Sequence, residues 1–456
     1  MKTDEAFAAT EELGDVAVTA LLRLVAVPSV STTSTNLEVA ATAVAELAET
    51  CGFSVEQWCD SGAPVVFAHC PGPVGTPTVL FYGHYDVQPP DPIDSWDSPP
   101  FTPTIRDGAV YGRGAADNKG QFLAHMIAVH ALLKAGGCPL GVKLLIEGEE
   151  EVGSPHLAPT IRAHRDALSC NLVLTADGPL YDDRRPVIIF GVRGLLYLEI
   201  KADGADRDVH SGNRGGLAPS PAWGLVQALG RLRDPEGKIL IPGFFDNVLP
   251  PTEAERAMLK ELPFDRQAML AELGISEFPP EAEPAGWEAV MFRPTLNICG
   301  LASGYTGPGL KTIVPHEAIA KVEVRLVPNQ DPDSIEAALR RQLSRDQVTI
   351  VRLAAVPPSS TPTDTPWVAA VAAGLESASG APPWLQPRLG GTTPDFVFTR
   401  LLRVPSLLIP YGPANMNHHA PNEKMSLAAL RRGIRSSVAI CLALADVETI
   451  PDPAAK

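Results

Sequence analysis

The sequence has no apolar run of the roughly 18 residues that a membrane helix needs. It also lacks the basic start and apolar block of a secretion signal, since Asp4 and Glu5 stand near its beginning. Its seven cysteines show no CxxC spacing, which argues against a disulfide framework and against a thiolate zinc site. These absences predict a cytoplasmic protein that contacts no membrane.

Basic residues are scarce relative to acidic ones. Lys and Arg number 37 against 53 Asp and Glu, and the formal net charge is −16 at pH 7. Because phosphates and anionic headgroups are repelled by such a chain, nucleic acid and membrane surfaces are disfavoured as partners. Some of the carboxylates are expected to face bound cations instead.

The length of 456 residues exceeds one ordinary hydrophobic core and predicts roughly two or three units. Strand-like apolar runs alternate with a helical pattern early in the chain, which predicts an α/β fold with a mostly parallel sheet. The candidate strands are 77–87, 142–147 and 171–176, and apolar residues recur at helical spacing over 121–135.

Residues of a different character lie between two turn-rich segments, 178–186 and 356–366. Alternating and helical patterns predict an α+β layer there, with strands at 187–202 and 318–327 and helices at 222–232 and 334–343.

These boundaries predict a discontinuous α/β domain over 1–188 and 362–456. They also predict an inserted α+β domain over 189–361. A Pro-rich stretch at 278–294 within the insertion is predicted to be a surface excursion.

The first polar motif, Gly83-His84-Tyr85-Asp86, ends an apolar strand. Residues two apart in extended backbone face the same way, so Asp86 can approach the imidazole of His84. A carboxylate in that position would orient a metal-bound histidine. Taken alone, the motif is also compatible with a solvated turn.

The second motif is a glycine-rich loop over 112–120 that leads into the predicted helix. Gly112 and Gly114 permit backbone conformations that other residues avoid, so Asp117 can be held at an unusual angle. A phosphate-binding loop has different spacing and would not carry an acidic residue. Asp117 as an ordinary helix cap remains the alternative.

Further carboxylates and histidines follow. An acidic run, 147–154, comes after the strand 142–147, and Asp177 ends another strand. Clustered carboxylates beyond a strand repel one another unless cations neutralise them, although acidic runs are often only solvated. His418 and His419 stand near the C-terminus. Imidazole and carboxylate ligands together suit zinc, manganese or cobalt.

This ordered set of motifs resembles the metallopeptidase family M20, and within it the group of cytosolic nonspecific dipeptidases and carnosinases. The resemblance spans nearly the whole chain. It rests on GHYDVQP at 83–89, GRGAADNKG at 112–120, EGEEEVGS at 147–154, DVHSG at 208–212, KTIVP at 311–315, VRLVPN at 324–329 and HAPNEK at 419–424.

The resemblance implies a phosphorylase/hydrolase-like zinc-peptidase domain with an inserted α+β lid that forms a homodimer. It implies two divalent cations per subunit, Zn²⁺ or Mn²⁺, with Co²⁺ also suitable. His84 and Asp177 would hold one cation, Glu151 and His419 the other, and Asp117 would bridge both. His418 would stay outside these ligands.

The resemblance also assigns catalytic roles. Glu150 would be the general base for a water shared by the two cations, and Asp86 would orient His84. The peptide bond between Asp117 and Asn118 would be cis.

Four substrate contacts are implied as well: Arg325, Thr392, and, from the neighbouring subunit, His210 and Thr312. Around Thr392 the chain reads GGTTPDF, whereas the dipeptidases commonly have a GGSIP-like stretch. Arg325 would pair with the substrate carboxylate, and His210 would donate a hydrogen bond to the developing oxyanion.

The implied activity is hydrolysis of dipeptides that carry a free C-terminal carboxylate. The nearest alternative is an N-acyl amino acid deacylase of the acetylornithine or succinyl-diaminopimelate type, with the same chemistry. A non-catalytic binding protein is disfavoured because Glu150 and all five implied ligands are present. A serine hydrolase is disfavoured because no GxSxG motif occurs.

Overall fold

The computed structural model describes residues 3–284 and 286–448. They form two compact units. The large unit comprises the described residues of Met1–Gly191, Ser360–Pro387 and Pro394–Lys456, and the inserted unit comprises those of Val192–Ser359 and Arg388–Thr393. The segment Arg388–Thr393 is a correction, because the sequence boundaries assigned it to the discontinuous domain.

The described residues contain thirteen α-helices. In chain order they are Thr3–Glu12 (α1), Gly14–Val25 (α2), Leu37–Thr50 (α3), Gly120–Lys134 (α4), Leu157–Ala163 (α5), Ser211–Arg214 (α6), Pro221–Gly230 (α7), Glu253–Glu261 (α8), Arg266–Leu273 (α9), Trp287–Phe292 (α10), Pro332–Gln342 (α11), Pro366–Ser379 (α12) and Leu427–Leu444 (α13). None of them combines the length and apolarity that a bilayer crossing requires.

The strands are Ser54–Trp58 (β1), Val65–Cys70 (β2), Thr78–His84 (β3), Thr104–Arg106 (β4), Ala109–Tyr111 (β5), Gly141–Glu147 (β6), Leu172–Thr175 (β7), Val187–Ile189 (β8), Gly194–Asp203 (β9), Val209–His210 (β10), Thr295–Ser303 (β11), Ile313–Val314 (β12), Glu317–Leu326 (β13), Val348–Val356 (β14), Trp384–Gln386 (β15), Ser406–Leu408 (β16) and Lys424–Ser426 (β17).

The large unit contains an eight-stranded sheet in the order β1-β2-β6-β3-β7-β16-β8-β15, which confirms the α/β prediction. Its central strands β6, β3, β7 and β16 run parallel, and antiparallel pairs join β1 to β2, β2 to β6, and β16 to β8. Parallel strands end at the same edge of a sheet, so the residues that follow β3, β6 and β7 are brought together.

Helix α4 is almost wholly buried, from Gly120 to Leu132 except for His130. Nearly all of its side chains are apolar or small, so it can pack against neighbours on several sides. It contacts β3 and the helices α1, α2 and α13. The core of the large unit therefore surrounds the helix that follows the glycine-rich loop.

The inserted unit is built on a four-stranded antiparallel sheet in the order β11-β13-β9-β14. Burial alternates along β9 and β13, and the buried face packs against α7 and α11. The opposite face is only partly covered.

Two predictions for the inserted region need correction. The predicted strand 187–202 is two strands in different sheets, because β8 belongs to the large sheet and β9 to the inserted one. The Pro-rich stretch 278–294 is not only a surface excursion, since it contains α10, in which Met291 and Phe292 are buried.

Candidate metal centre

Three parallel strands end in the polar residues of the site. His84 is the last residue of β3, Glu147 is the last of β6, and Asp177 follows β7 by two residues. Glu150 and Glu151 lie in a short turn directly after β6. The apolar strands thus carry these groups to one edge of the sheet.

The glycine-rich loop supplies Asp117, which has a non-helical backbone of φ −114° and ψ 92°. The peptide bond between Asp117 and Asn118 is cis, as predicted. Gly114 has φ +86°, and a Cβ there would lie 2.5 Å from Val87 Cγ1, so both its conformation and its space require glycine.

The buried carboxylate of Glu423 holds this loop in place. It accepts hydrogen bonds from the backbone N–H groups of Gly114, Ala116 and Asp117, each at 3.0 Å. Arg113 Nη1 donates to the same carboxylate at 2.7 Å. Glu423 lies within the HAPNEK motif, but no role was predicted for it, because its partners are about 300 positions earlier in the chain.

On one side of Asp117, the ligand atoms of His84 and Asp177 converge. His84 Nε2 lies 3.2 Å from Asp117 Oδ1 and 3.8 Å from Asp177 Oδ2. One ligand atom from each of the three residues lies within 4.8 Å of the other two. These are the residues predicted for one cation and its bridging ligand.

On the other side, His419 Nε2 lies 2.9 Å from Asp117 Oδ2 and 3.3 Å from Glu151 Oε2. His418 Nε2 lies 2.8 Å from Asp117 Oδ2, so the structure brings it as close as His419. This differs from the expectation that His418 stays apart. Glu151 distinguishes the two histidines, because among the described residues it contacts His419 but not His418.

Two buried ligand atoms test whether a cation would fit. Although other polar atoms approach them closely, His84 Nε2 and Asp117 Oδ2 have no hydrogen-bond partner among the described residues. Buried polar atoms are nearly always hydrogen-bonded, and cations on the two sides of Asp117 would account for these two exceptions. The nitrogen and oxygen donors suit zinc or manganese. The residues therefore fit divalent cations.

Asp86 links β3 to the acidic turn. Its Oδ1 lies 3.3 Å from His84 Nδ1, which also lies 3.1 Å from the Asp86 backbone oxygen. The N–H groups of Glu150 and Glu151 donate to Asp86 Oδ1 and Oδ2 at 3.2 and 3.1 Å. One buried carboxylate thus positions an imidazole and two acidic residues.

Loss of hydration and mutual repulsion perturb these carboxylates. Desolvation, reinforced by the charges of Asp177 and Glu151, raises the pKa of Glu150 well above its usual range. Desolvation and the charge of Asp117 raise the pKa of Asp177 to about 6. Acidic groups crowded in this way favour nearby positive charge.

Glu147 was part of the acidic run, but no role was predicted for it. Its side chain is buried and accepts hydrogen bonds from Tyr82 Oη at 2.6 Å and Ser154 Oγ at 2.7 Å. Burial raises its pKa to about 7. Glu147 therefore braces the turn that carries Glu150.

The four predicted substrate residues lie in the inserted unit. Arg325 Nη1 donates to Thr392 Oγ1 and Arg325 Nη2 to Glu323 Oε2, both at 2.9 Å. His210 and Thr312 are neighbours at the β10–β12 ribbon, where Ser211 N–H donates to the Thr312 oxygen at 3.0 Å. His210 is exposed.

Residues 80–443 match the model of peptidase family M20/M25/M40. A Beta-Ala-His dipeptidase of Homo sapiens is 32% identical over 397 residues, which cover 84% of this chain and 78% of the relative. A Cys-Gly metallodipeptidase of Schizosaccharomyces pombe is 28% identical over 479 residues, covering 95% and 97%.

Among solved structures, an M20 family metallo-carboxypeptidase from Sulfolobus solfataricus superposes with a TM-score of 0.90 at 34% sequence identity. The match covers 94% of this chain and 99% of that structure. The fold likeness thus extends over both units.

Proposed function

Because this chain belongs to peptidase family M20/M25/M40, we propose that it hydrolyses dipeptides that carry a free C-terminal carboxylate. The dipeptidase names of the human and fission-yeast relatives support this substrate class. The observation that carries the proposal is a pair of buried ligand atoms, His84 Nε2 and Asp117 Oδ2, that have no hydrogen-bond partner among the described residues. They supply a place for the metal that the chemistry needs.

Two divalent cations are proposed for the centre. His84 and Asp177 would hold one, Glu151 and His419 the other, and Asp117 would contact both. When bound, such cations acidify water and polarise the scissile carbonyl.

Glu150 is proposed as the general base. It stands in the same turn as Glu151, and burial raises its pKa, which suits a carboxylate that accepts a proton. It would accept the proton of the attacking water and pass it to the leaving amine. Asp86 would hold the backbone of this turn in place through its two hydrogen bonds.

Arg325 is proposed to bind the C-terminal carboxylate through its planar guanidinium. Thr392 and Glu323 orient that guanidinium. His210 and Thr312 are proposed to serve the site of a second copy of the chain in a homodimer. Exposed apolar side chains on and beside α7, including Trp223 at 68% and Leu217 at 79% relative exposure, support an interface on the inserted unit.

A second candidate is removal of the C-terminal residue from longer peptides. The Sulfolobus metallo-carboxypeptidase favours it by its likeness over both units. Both activities need a free C-terminal carboxylate, so they differ in the length accepted on the amino side.

The experiment is a substrate panel measured on protein that has been stripped with a chelator and reloaded with Mn²⁺, Zn²⁺ or Co²⁺. The panel contains dipeptides, the same sequences extended by an N-terminal residue, and N-acetyl amino acids. We expect dipeptides to have the highest kcat/KM. Faster cleavage of the extended peptides would favour the carboxypeptidase, and faster cleavage of the acetyl compounds would favour the deacylase. Turnover by protein shown to be metal-free would contradict the proposed metal chemistry.

A further inference from the structure

A cavity of about 610 Å³ lies within the inserted unit and is lined by five cationic residues. They are Arg193, Arg233, Lys238, Arg293 and Arg325. Glu323 is the one acidic residue among the described residues that line it. We call this space the cationic cavity. The lining of the cavity is positively charged, whereas the chain as a whole has a formal net charge of −16.

Two of these arginines lie at the same end of the β13–β9 ladder. Arg325 pairs with Leu195, the second residue of β9, and Arg193 directly precedes β9. Both arginines line the cationic cavity, and the charge of Arg325 acts on Arg193. Arg193 and Arg325 therefore face the same space.

Arg193 is anchored by its Nε and its backbone N–H, whereas its two Nη atoms make no hydrogen bond with the described residues. Its Nε donates to the Gly390 oxygen at 2.6 Å, and its backbone N–H contacts the oxygens of Leu389 and Gly391, each at 3.2 Å. Across the part of the chain that the structure describes, its Nη atoms make no hydrogen bond. The guanidinium is thus fixed in direction while one edge stays available.

Arg325, by contrast, donates one hydrogen bond from each Nη, to Thr392 and to Glu323, and each Nη carries a second N–H that can meet a carboxylate. Burial and the nearby Arg325 cation lower the pKa of Arg193 to about 10. Two cations held near each other with one carboxylate between them attract further negative charge. The volume is within the range of about 300 to 1,000 Å³ that is usual for small-molecule sites.

We propose that the cationic cavity receives the C-terminal residue of the substrate and that Arg193 binds a second carboxylate on its side chain. This rests on the proposed function, in which Arg325 binds the terminal carboxylate. The preferred substrates are then peptides that end in Glu or Asp. The apolar cavity residues, such as Phe245, Val248 and Leu296, would pack against the methylene groups between the two carboxylates.

The first test compares matched substrates on the metal-loaded wild-type enzyme. Ala-Glu and Ala-Gln differ in charge but hardly in shape, as do Ala-Asp and Ala-Asn. A charge-assisted hydrogen bond in a partly desolvated site predicts a kcat/KM at least about tenfold higher for Ala-Glu than for Ala-Gln. The ratio should shrink at high ionic strength.

Variants then assign the effect to Arg193. In Arg193→Gln the Glu/Gln ratio should fall to about twofold or less, while Arg193→Lys should retain part of it because the positive charge remains. Arg207→Gln is the matched control, since Arg207 is an exposed arginine of the same unit that pairs with Asp206 and does not line the cavity. It should keep the full ratio.

The outcomes separate this proposal from the proposed function. Hydrolysis of Ala-Gln with a Glu/Gln ratio near one would overturn the cavity proposal and leave the dipeptidase intact. A high ratio that persists in Arg193→Gln would also overturn it. If neither dipeptide is cleaved, the proposed function fails, and calorimetric titration with glutarate decides the cavity. Binding to wild type that weakens about tenfold in Arg193→Gln supports it, and equal or no binding overturns it.

Discussion

At the scale of single residues, Asp86 contacts three other residues of the candidate centre. Its two carboxylate oxygens accept the N–H groups of Glu150 and Glu151, and one of them also faces the His84 imidazole. The proposed general base and two of the proposed metal ligands thus depend on one buried side chain for their placement.

Glu150→Gln should separate metal binding from catalysis. The amide keeps the shape of the side chain but cannot take up the proton of water, so turnover should fall by about 10²- to 10⁴-fold. The metal content, measured by elemental analysis, should stay at the wild-type value. Glu149→Gln is the matched control, because Glu149 lies in the adjacent position but pairs with His156 at 2.7 Å. If Glu150→Gln turned over nearly as fast as Glu149→Gln, the base would have to be reassigned.

The two adjacent histidines make a second prediction. Both approach Asp117 Oδ2, but only His419 is also in contact with Glu151 in the described part of the chain. His419→Ala should therefore lower the bound metal from about two ions to about one per chain, whereas His418→Ala should retain both. Metal titration of each variant measures this, and the opposite order would make His418 the ligand.

At the scale of elements, the regular strands and helices could be predicted closely from their residue patterns. The predicted strand 142–147 is observed as Gly141–Glu147, and the predicted helix 121–135 as Gly120–Lys134. The spacing of apolar residues within each segment is enough to predict this strand and this helix. The segment Arg388–Thr393 could not be assigned in this way, because it joins the inserted unit through contacts with Arg193, about 200 residues earlier.

Helix α4 carries a buried histidine that should make stability depend on pH. His125 stacks on Phe81 with ring centroids 3.9 Å apart, and its Nδ1 contacts Ser437 Oγ at 2.9 Å. Burial lowers its pKa from 6.5 to about 3. Below pH 6.5 the His125 imidazole is protonated in the unfolded chain but stays neutral in the folded chain. The free energy of unfolding therefore decreases as the pH falls from 6.5 towards 3.

His125→Asn should remove that dependence while offering Ser437 a polar partner. Between pH 6.5 and 5 the wild type should lose on the order of 2 kcal/mol more unfolding free energy than the variant. Urea unfolding at a series of pH values measures the difference. His130→Asn is the control, since His130 lies on the same helix but is partly exposed, and it should follow the wild type. Parallel curves for His125→Asn and wild type would refute the role of His125.

At the scale of the whole molecule, the proposed homodimer predicts complementation. Glu150→Gln and His210→Ala should each be inactive alone. If His210 serves the site of the other subunit, a mixed dimer has one intact site, because the His210→Ala subunit keeps its own Glu150. Random exchange makes half of the dimers mixed, so roughly a quarter of wild-type activity should return.

Subunit exchange must be verified independently, for example by mass spectrometry of differently tagged chains. If His210 serves its own subunit, no mixture contains an intact site. Activity that stays flat after full exchange would therefore contradict the shared site.

The candidate site could be predicted in part from strand ends and glycines. The motifs around His84 and Glu151 stand where parallel strands end, Asp117 lies in the glycine-rich loop, and the structure brings their ligand atoms together. The placement of His418 beside Asp117 could not be predicted, because the resemblance selects one histidine while the backbone of this segment presents both. The proposed role of Arg193 in substrate binding could not be predicted, because its side chain is positioned by Gly390, which is distant in the sequence.

The hydrogen bonds between Glu423 and the glycine-rich loop have a consequence for folding during translation. Glu423 follows Asp117 by 306 positions. At translation rates of about 5 to 20 residues per second, it leaves the ribosome roughly 15 to 60 s after the loop that it holds. His418 and His419 emerge just before it. A nascent chain therefore carries the strand ends long before it can close the candidate metal centre, which postpones any activity of that centre until Glu423 has emerged.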